Sequence, residues 1–388
     1  MPPYLAGRDK EQREFLTLLE QATILQNLIV TGLRGVGKTV LLEAFKPLAL
    51  RKGWYWVGTD MSESTSVSEK NMAIRLLADL SVGTSSIVVG GRDSTPIGFG
   101  RLPQTQIETL NYDGLIQIFE ETPGLIADKL KSVLEIAWSF MRQDAAGGIV
   151  FAYDEAQNMG DDAVASEYPL SLLLDVFQSI QRKNIPFMLV LTGLPTLFPK
   201  LVEARTFSER MFDIWFLDRL SPEDSRDAIL KPITQQKCPV AFSNDSVDTI
   251  IEITGGYPYF IQFICREVYD LFLQKTGSGV EPSVPVAEIE RKLDTNFFAG
   301  RWSRATDRQR DLLGLAAGLE SCDEEFTVHE LVAASERELE RPFSGSYISQ
   351  LLSALSEVGL VYKKRHGKYA FAVPLLSRFI RRQLEIGS

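Results

Sequence analysis

Short apolar runs alternate with amphipathic stretches through the first half of the chain. Leu28-Ile29-Val30-Thr31 is apolar and ends at a glycine, the pattern of a buried strand. Before it, Phe15, Leu18, Leu19 and Ala22 recur at helical spacing within residues 8–22. After it, Val40 to Leu50 reads as a helix, Trp54 to Gly58 as a second strand, and Met72, Leu76, Leu77 and Leu80 mark another helix. Leu130, Val133, Leu134, Ala137 and Met141 give one more amphipathic helix. Ile149 to Tyr153 reads as a third strand, Leu172 to Ile180 as a helix and Phe187 to Leu191 as a fourth strand. Such alternation predicts an α/β fold with a parallel sheet covered on both faces. Residues 81–112 interrupt it with Gly83, Gly90, Gly91, Pro96, Gly98, Gly100 and Pro103 around a β-like patch at Ile87-Val88-Val89. A loop or hairpin insertion fits best, with a surface loop preferred to a pore-lining or partner-facing element.

From Pro222 the pattern turns helical, and no strong strand appears until Gly359. Residues 222–290 read as a small helical domain, with Gly277 to Pro285 as a loop between helices. Arg308 to Leu319 reads as a helix, and a second starts within Phe326-Thr-Val-His-Glu-Leu331. A third, after Ser344, sets Ile348, Leu351, Leu352, Leu355 and Val358 on one face and ends at Gly359. Leu360 to Val373 then reads as two strands around a turn at His366-Gly367. Three helices and a hairpin make a winged helix. The expected domains are 1–220 with the insertion at about 81–112, 221–300, and 301–388.

Composition narrows the chemistry. The chain has 388 residues, with 41 Lys+Arg against 51 Asp+Glu and a formal net charge of −10. An acidic total argues against a wholly electrostatic nucleic-acid binder. Yet from Tyr362 to Ser388 seven basic residues stand against Glu385 alone: Lys363, Lys364, Arg365, Lys368, Arg378, Arg381 and Arg382. Cys238, Cys265 and Cys322 lie far apart, and the only histidines are His329 and His366, so neither a disulfide framework nor a multi-histidine metal site is expected. Neither a secretory leader pattern nor an apolar run of about 20 residues is seen, so a cytoplasmic protein without a membrane partner is expected.

Gly32-Leu33-Arg34-Gly35-Val36-Gly37-Lys38-Thr39 matches G-x-x-x-x-G-K-[ST] in full, between an expected strand and an expected helix that opens towards Val40. Glycines let successive amides approach phosphate oxygens, and the helix N-terminus adds partial positive charge. Lys38 would reach the β/γ-phosphates, and Thr39 would offer a hydroxyl to Mg²⁺. At the end of the third strand, Asp154 would hold Mg²⁺ through its water shell, and Glu155 would polarise the attacking water. Thr192, at the tip of the fourth strand, is a candidate for the γ-phosphate or the water; a strand cap is the simpler alternative. Arg205 and Arg210 follow, and one of them would reach a neighbouring subunit's γ-phosphate, with Arg210 favoured.

On the loop at 32–39, Gly7-Arg8, Asp154-Glu155, Thr192, Arg210 and Gly256-Tyr-Pro258, the chain resembles the AAA+ ATPases. More narrowly, it is similar to the branch of archaeal and eukaryotic origin-recognition initiators and their STAND-type relatives. The resemblance implies a P-loop NTPase core, a helical lid and a C-terminal winged helix. It implies ATP and Mg²⁺ as cofactors, with Leu5 to Arg8 bordering the adenine, Pro258 near the base, and ATP between adjacent subunits. One departure is plain: Gly255-Gly-Tyr-Pro-Tyr-Phe260 lacks the lid arginine of many AAA+ proteins, a form similar to the STAND clade. Slow hydrolysis is the expectation that follows.

Two functions fit. In one, ATP orders a homo-oligomeric ring or filament that binds double-stranded DNA, through Lys363, Lys364, Arg365 and Lys368. In the other, the chain is an NTP-switched scaffold whose winged helix contacts a protein effector.

Overall fold

A computed structural model describes residues 4–21, 23–24, 26–85, 88–93, 105–142, 147–275, 283–365 and 367–387. Ala22, Ile87, the stretch of the insertion with Pro96, Gly98, Gly100 and Pro103, most of the Gly277–Pro285 loop and His366 lie outside the described residues. The described residues divide into two compact units: those within 9–31 and 38–216 form the first, and those within 4–8, 32–37 and 217–387 the second.

The first unit is built on a five-stranded sheet. Its strands are β1 (Asn27–Gly32) and β2 (Tyr55–Val57), then, past a separate hairpin of β3 (Val88–Asp93) and β4 (Thr105–Thr109), β5 (Ile149–Tyr153), β6 (Phe187–Gly193) and β7 (Phe212–Leu217). The order is β2-β5-β6-β1-β7. The pairs β1–β6, β2–β5 and β5–β6 run parallel, so these strands end at one edge. Strands β1, β5 and β6 are buried along their whole length, which is why they read as continuous apolar runs. Phe151, Phe177 and Phe187 meet in the core, and Phe15 stacks on Phe45 with centroids 4.2 Å apart.

The antiparallel β3–β4 pair realises the expected hairpin, although the preceding helix continues to Thr84 rather than ending near residue 80. Strand β7 was not anticipated. Its exposure alternates, with Phe212 and Leu217 buried but Ile214 and Phe216 exposed, so its short apolar run at 214–217 is not that of a buried strand.

Among the described residues of the second unit, two hydrophobic clusters are large. One gathers Ala6, Leu220, Ile229, Val247, Ile261 and Ile264 from the chain start and the helices Pro222–Gln235, Asn244–Thr254 and Pro258–Lys275. The other gathers Leu312, Leu331, Ile348, Leu352 and Phe379 with neighbours around Phe260 and Phe298. Here the helices Asp307–Gly318, Val328–Glu338 and Gly345–Glu357 accompany a three-stranded antiparallel sheet ordered β8-β10-β9; β8 (Phe326–Thr327) lies between the first two helices, and β9 (Val361–Arg365) and β10 (Lys368–Phe371) follow the third. The helix expected to start at Phe326 instead follows β8. Thr327 caps it, accepting from the Glu330 amide at 3.1 Å while the Glu330 carboxylate reaches back to the Thr327 amide at 2.7 Å. Gly359, at φ +70°, ends the third helix as expected, and the Leu360 amide closes on the Leu355 carbonyl at 3.0 Å.

Candidate functional site

The edge where β1, β5 and β6 end carries most of the polar residues singled out in the first unit. Asp154 follows β5 and is held from both sides. Its carbonyl accepts from the Met61 amide at 2.8 Å, and its own amide donates to Thr59 at 3.3 Å. Its carboxylate is almost fully buried and accepts hydroxyl hydrogen bonds from Thr39 on one oxygen and from Thr192 on the other. The Glu155 amide adds a third, at 2.8 Å. Lys38 and Thr39 open the helix Lys38–Arg51, with Val40 next, and Lys38 is largely buried. Three of the residues expected to serve phosphate and metal are thus gathered on one carboxylate. Thr192 has no exposed surface, and its hydroxyl is directed at Asp154, which gives it the work of fixing that acid.

Glu155 is exposed and adopts a left-handed backbone at φ +51°. One of its oxygens accepts from the side-chain amide of Gln157, whose own oxygen accepts from the Leu194 amide at 3.0 Å. Gln157 was not anticipated. Its only signal was its place two residues after Glu155 in Asp154-Glu-Ala-Gln157.

Thr39 and Asp154 offer hard oxygen donors in contact with one another. That suits Mg²⁺, which binds one or two carboxylates together with substrate phosphates. Among the described residues no group of three or more His, Cys, Asp or Glu is placed to hold a metal, so these side chains do not build a cage of their own.

The two arginines part company. Arg205 is tied down: its guanidinium lies on both oxygens of Asp175 at 2.9 and 2.8 Å and donates to the Ser171 hydroxyl at 2.7 Å, and this pairing raises its pKa. Arg210 is exposed and lines a cleft with Ile24, Gln181, Arg182 and Phe207. Gln181 donates to Asn27, the first residue of β1, at 2.7 Å. The cleft therefore lies at the starting end of β1, roughly 17 Å along a six-residue strand from the edge that carries Asp154.

The second unit contains the other residues singled out. Arg8 is buried, and its guanidinium donates to the carbonyls of Val36 at 3.1 Å and Asp218 at 2.7 Å. Gly7 packs against Asp224. Between Gly32 and Gly37 the loop touches the helix that begins at Pro258, where the Tyr259 amide donates to the Gly35 carbonyl at 3.0 Å. Gly35 has φ +81°, and a Cβ there would stand 2.9 Å from the Tyr259 Cβ, so both the backbone and the space call for glycine. Leu33 packs against Tyr362, Ala370 and Ala372. Arg34 is exposed, and a Cβ on Gly359 would lie 3.7 Å from it. Arg266 is exposed two turns past Tyr259 on the helix that begins at Pro258.

The basic tail is more neutral than its sequence. Arg365 pairs with Glu325, and Lys368 lies 3.5 Å from the same carboxylate. That pairing lowers the Glu325 pKa. Arg378 donates to the Glu252 carbonyl at 3.0 Å, Arg381 to the Ala317 carbonyl at 2.8 Å, and Arg382 pairs with Asp294 and Glu290. Among the described residues, Lys363 and Lys364 are exposed and make no ion pair.

Residues 4–191 match the family model described as the AAA ATPase domain. The first half of this chain is an AAA ATPase domain. Residues 295–380 match a model described as a domain of unknown function. The fold as a whole is similar to that of a Walker-type ATPase of Pyrococcus abyssi, with 14% identity and a TM-score of 0.58 over 97% of this chain and 96% of that one. It is also similar to the ORC2 protein of Aeropyrum pernix. The ADP form gives 15% identity and a TM-score of 0.56 over 100% of this chain and 97% of that one; the ADPNP-ADP complexes give 13% and 0.54 over the same shares. At such identities the likeness is one of fold. Among curated proteins none matches. The AAA+ resemblance and the parallel α/β core expected from the sequence both hold. No helix among the described residues is long and apolar enough to cross a membrane.

Proposed function

We propose that the AAA ATPase domain binds ATP with Mg²⁺ and hydrolyses it, and that nucleotide state controls assembly of several copies. The carrying observation is the Asp154 carboxylate bonded by Thr39, which follows the phosphate-loop lysine, and by Thr192 from the neighbouring strand. In this reading Lys38 and the amides of residues 32–37 hold the phosphates. Thr39 and Asp154 hold the ion, and Glu155 accepts the proton of the attacking water. Bound Mg²⁺ neutralises charge on the β- and γ-oxygens. Gly7, Arg8 and Pro258 border the base. The Aeropyrum pernix protein of similar fold forms ADPNP-ADP complexes, which supports the cofactor choice.

Arg210 is assigned the trans role. Its cleft sits at the starting end of β1, out of reach of the domain's own Asp154, so a phosphate it touches belongs to another copy. That supports a homo-oligomer with nucleotide at its interfaces.

We read residues 221–300 as a lid and 301–388 as a winged helix that contacts double-stranded DNA through Lys363 and Lys364. The pairing of Arg365 and Lys368 with Glu325 favours a second reading, in which the same surface meets a protein effector. DNA retention measured against salt, with and without ATP, tests both. Two free lysines predict a shallow slope of log affinity on log salt, about 2 in magnitude. Retention that is absent at low salt with ATP present removes DNA from the proposal.

A further inference from the structure

We propose that Gln157 is a positioning residue that links the exit of β6 to the Glu155 carboxylate; the proposal rests on reading Glu155 as the group that accepts the water's proton. The orientation of its amide is dictated by chemistry. A carboxamide has one acceptor end and one donor end. The Leu194 amide, 3.0 Å away, can only meet oxygen, so the nitrogen end must face Glu155, and it donates to one of that residue's oxygens.

Gln157 is itself anchored. Its main-chain carbonyl accepts from the Lys200 ammonium at 2.8 Å, and burial lowers the pKa of that lysine. The next residue, Asn158, donates to the Met61 carbonyl at 2.9 Å. Gly193 makes room: a Cβ there would stand 2.8 Å from the Gln157 side-chain oxygen and 2.9 Å from Leu197. Glu155, by contrast, is exposed, and its side chain would otherwise sample several rotamers.

The consequence is specific. Two residues at the exit of β6 address both acids of the site. Thr192 bonds Asp154 directly, and Leu194, past Gly193, reaches Glu155 through Gln157. With one Glu155 oxygen occupied by the amide, the other is left to meet a water, and its direction is set by the strand. A shift of the β6 tip is thereby transmitted to the carboxylate.

The experiment is steady-state ATP hydrolysis by the full chain with Mg²⁺, with nucleotide binding and thermal unfolding measured alongside. Gln157→Ala is expected to lower kcat roughly tenfold or more, the loss of a hydrogen bond to a charged group, with KM and ATP affinity unchanged within about twofold. Gln157→Glu keeps an acceptor for the Leu194 amide but sets two carboxylates side by side. It loses the donor to Glu155, so kcat is expected to fall at least as far as in Gln157→Ala, again with KM unchanged within about twofold. A residue that only braces the fold would lower the melting temperature and leave kcat alone; that result overturns the proposal, as does wild-type kcat in Gln157→Ala. Glu155→Gln separates the two layers. If it turns over at the wild-type rate, the base assignment fails. If it is inactive while Gln157→Ala is unaffected, only the positioning role fails.

Discussion

The Arg365 guanidinium lies on the Glu325 carboxylate, forty residues away in sequence, and takes the tip of the basic hairpin out of play. Glu325→Gln would release both Arg365 and Lys368. If the hairpin meets DNA, the salt slope should steepen by up to about 2 and low-salt affinity should rise. The lowered pKa of Glu325 fixes the sign of the pH effect. The pair is intact above the ordinary carboxylate range and is lost as pH falls through the depressed value, so acidification should imitate the variant. A filter-binding series at three salt concentrations decides it; identical slopes for the two proteins would remove this surface from DNA.

Lys38→Ala is expected to abolish measurable ATP binding, because a largely buried ammonium beside the phosphate loop is replaced by methyl. Glu155→Gln should bind ATP as the parent does and lose turnover by a factor of about 10² or more. Equilibrium binding of a fluorescent ATP analogue and a phosphate-release assay separate the two outcomes.

Arg210→Ala should leave ATP binding intact and depress hydrolysis by a factor of about 10³, the scale of a phosphate-contacting arginine supplied from another copy. Mixed with Glu155→Gln, it should regain activity, since each protein supplies what the other lacks. Arg205→Ala should behave differently, lowering stability by about 1 kcal/mol through its lost pairing with Asp175, with no recovery on mixing. Failure of Arg210→Ala to recover in the mixture would argue that its role is not in trans.

Thr192→Val removes a hydroxyl donor from a buried carboxylate while keeping side-chain shape. A cost of about 1–3 kcal/mol is expected, visible as a lower melting temperature without nucleotide. An unchanged melting temperature would mean that the Thr192–Asp154 bond contributes nothing to the fold.

Much of this was legible because it is local in sequence. The loop at 32–39 and Asp154-Glu155 each sit at the end of a buried strand, and a buried strand announces itself as an unbroken apolar run. Strand β7 escaped because only part of it is buried, and Asp213 splits its apolar positions, leaving a short run at 214–217. Two-residue β8 is shorter than any periodicity can register. The Glu325 pairing and the Leu194–Gln157–Glu155 connection depend on partners far apart along the chain, which no spacing rule reaches. The two arginines looked alike in sequence, and only the position of Asp175 on the helix Pro169–Arg182 told them apart.

Leu33 belongs to the glycine-rich loop at 32–39, yet its side chain rests against Tyr362 and Ala370 of the β9–β10 hairpin and Ala372 just past it. If that loop holds a triphosphate, as proposed, its occupancy would bear directly on this hairpin. News of what the loop holds would reach the outside of the molecule as a loosening or tightening of that hairpin, readable by the rate at which its backbone amides trade their protons for deuterium.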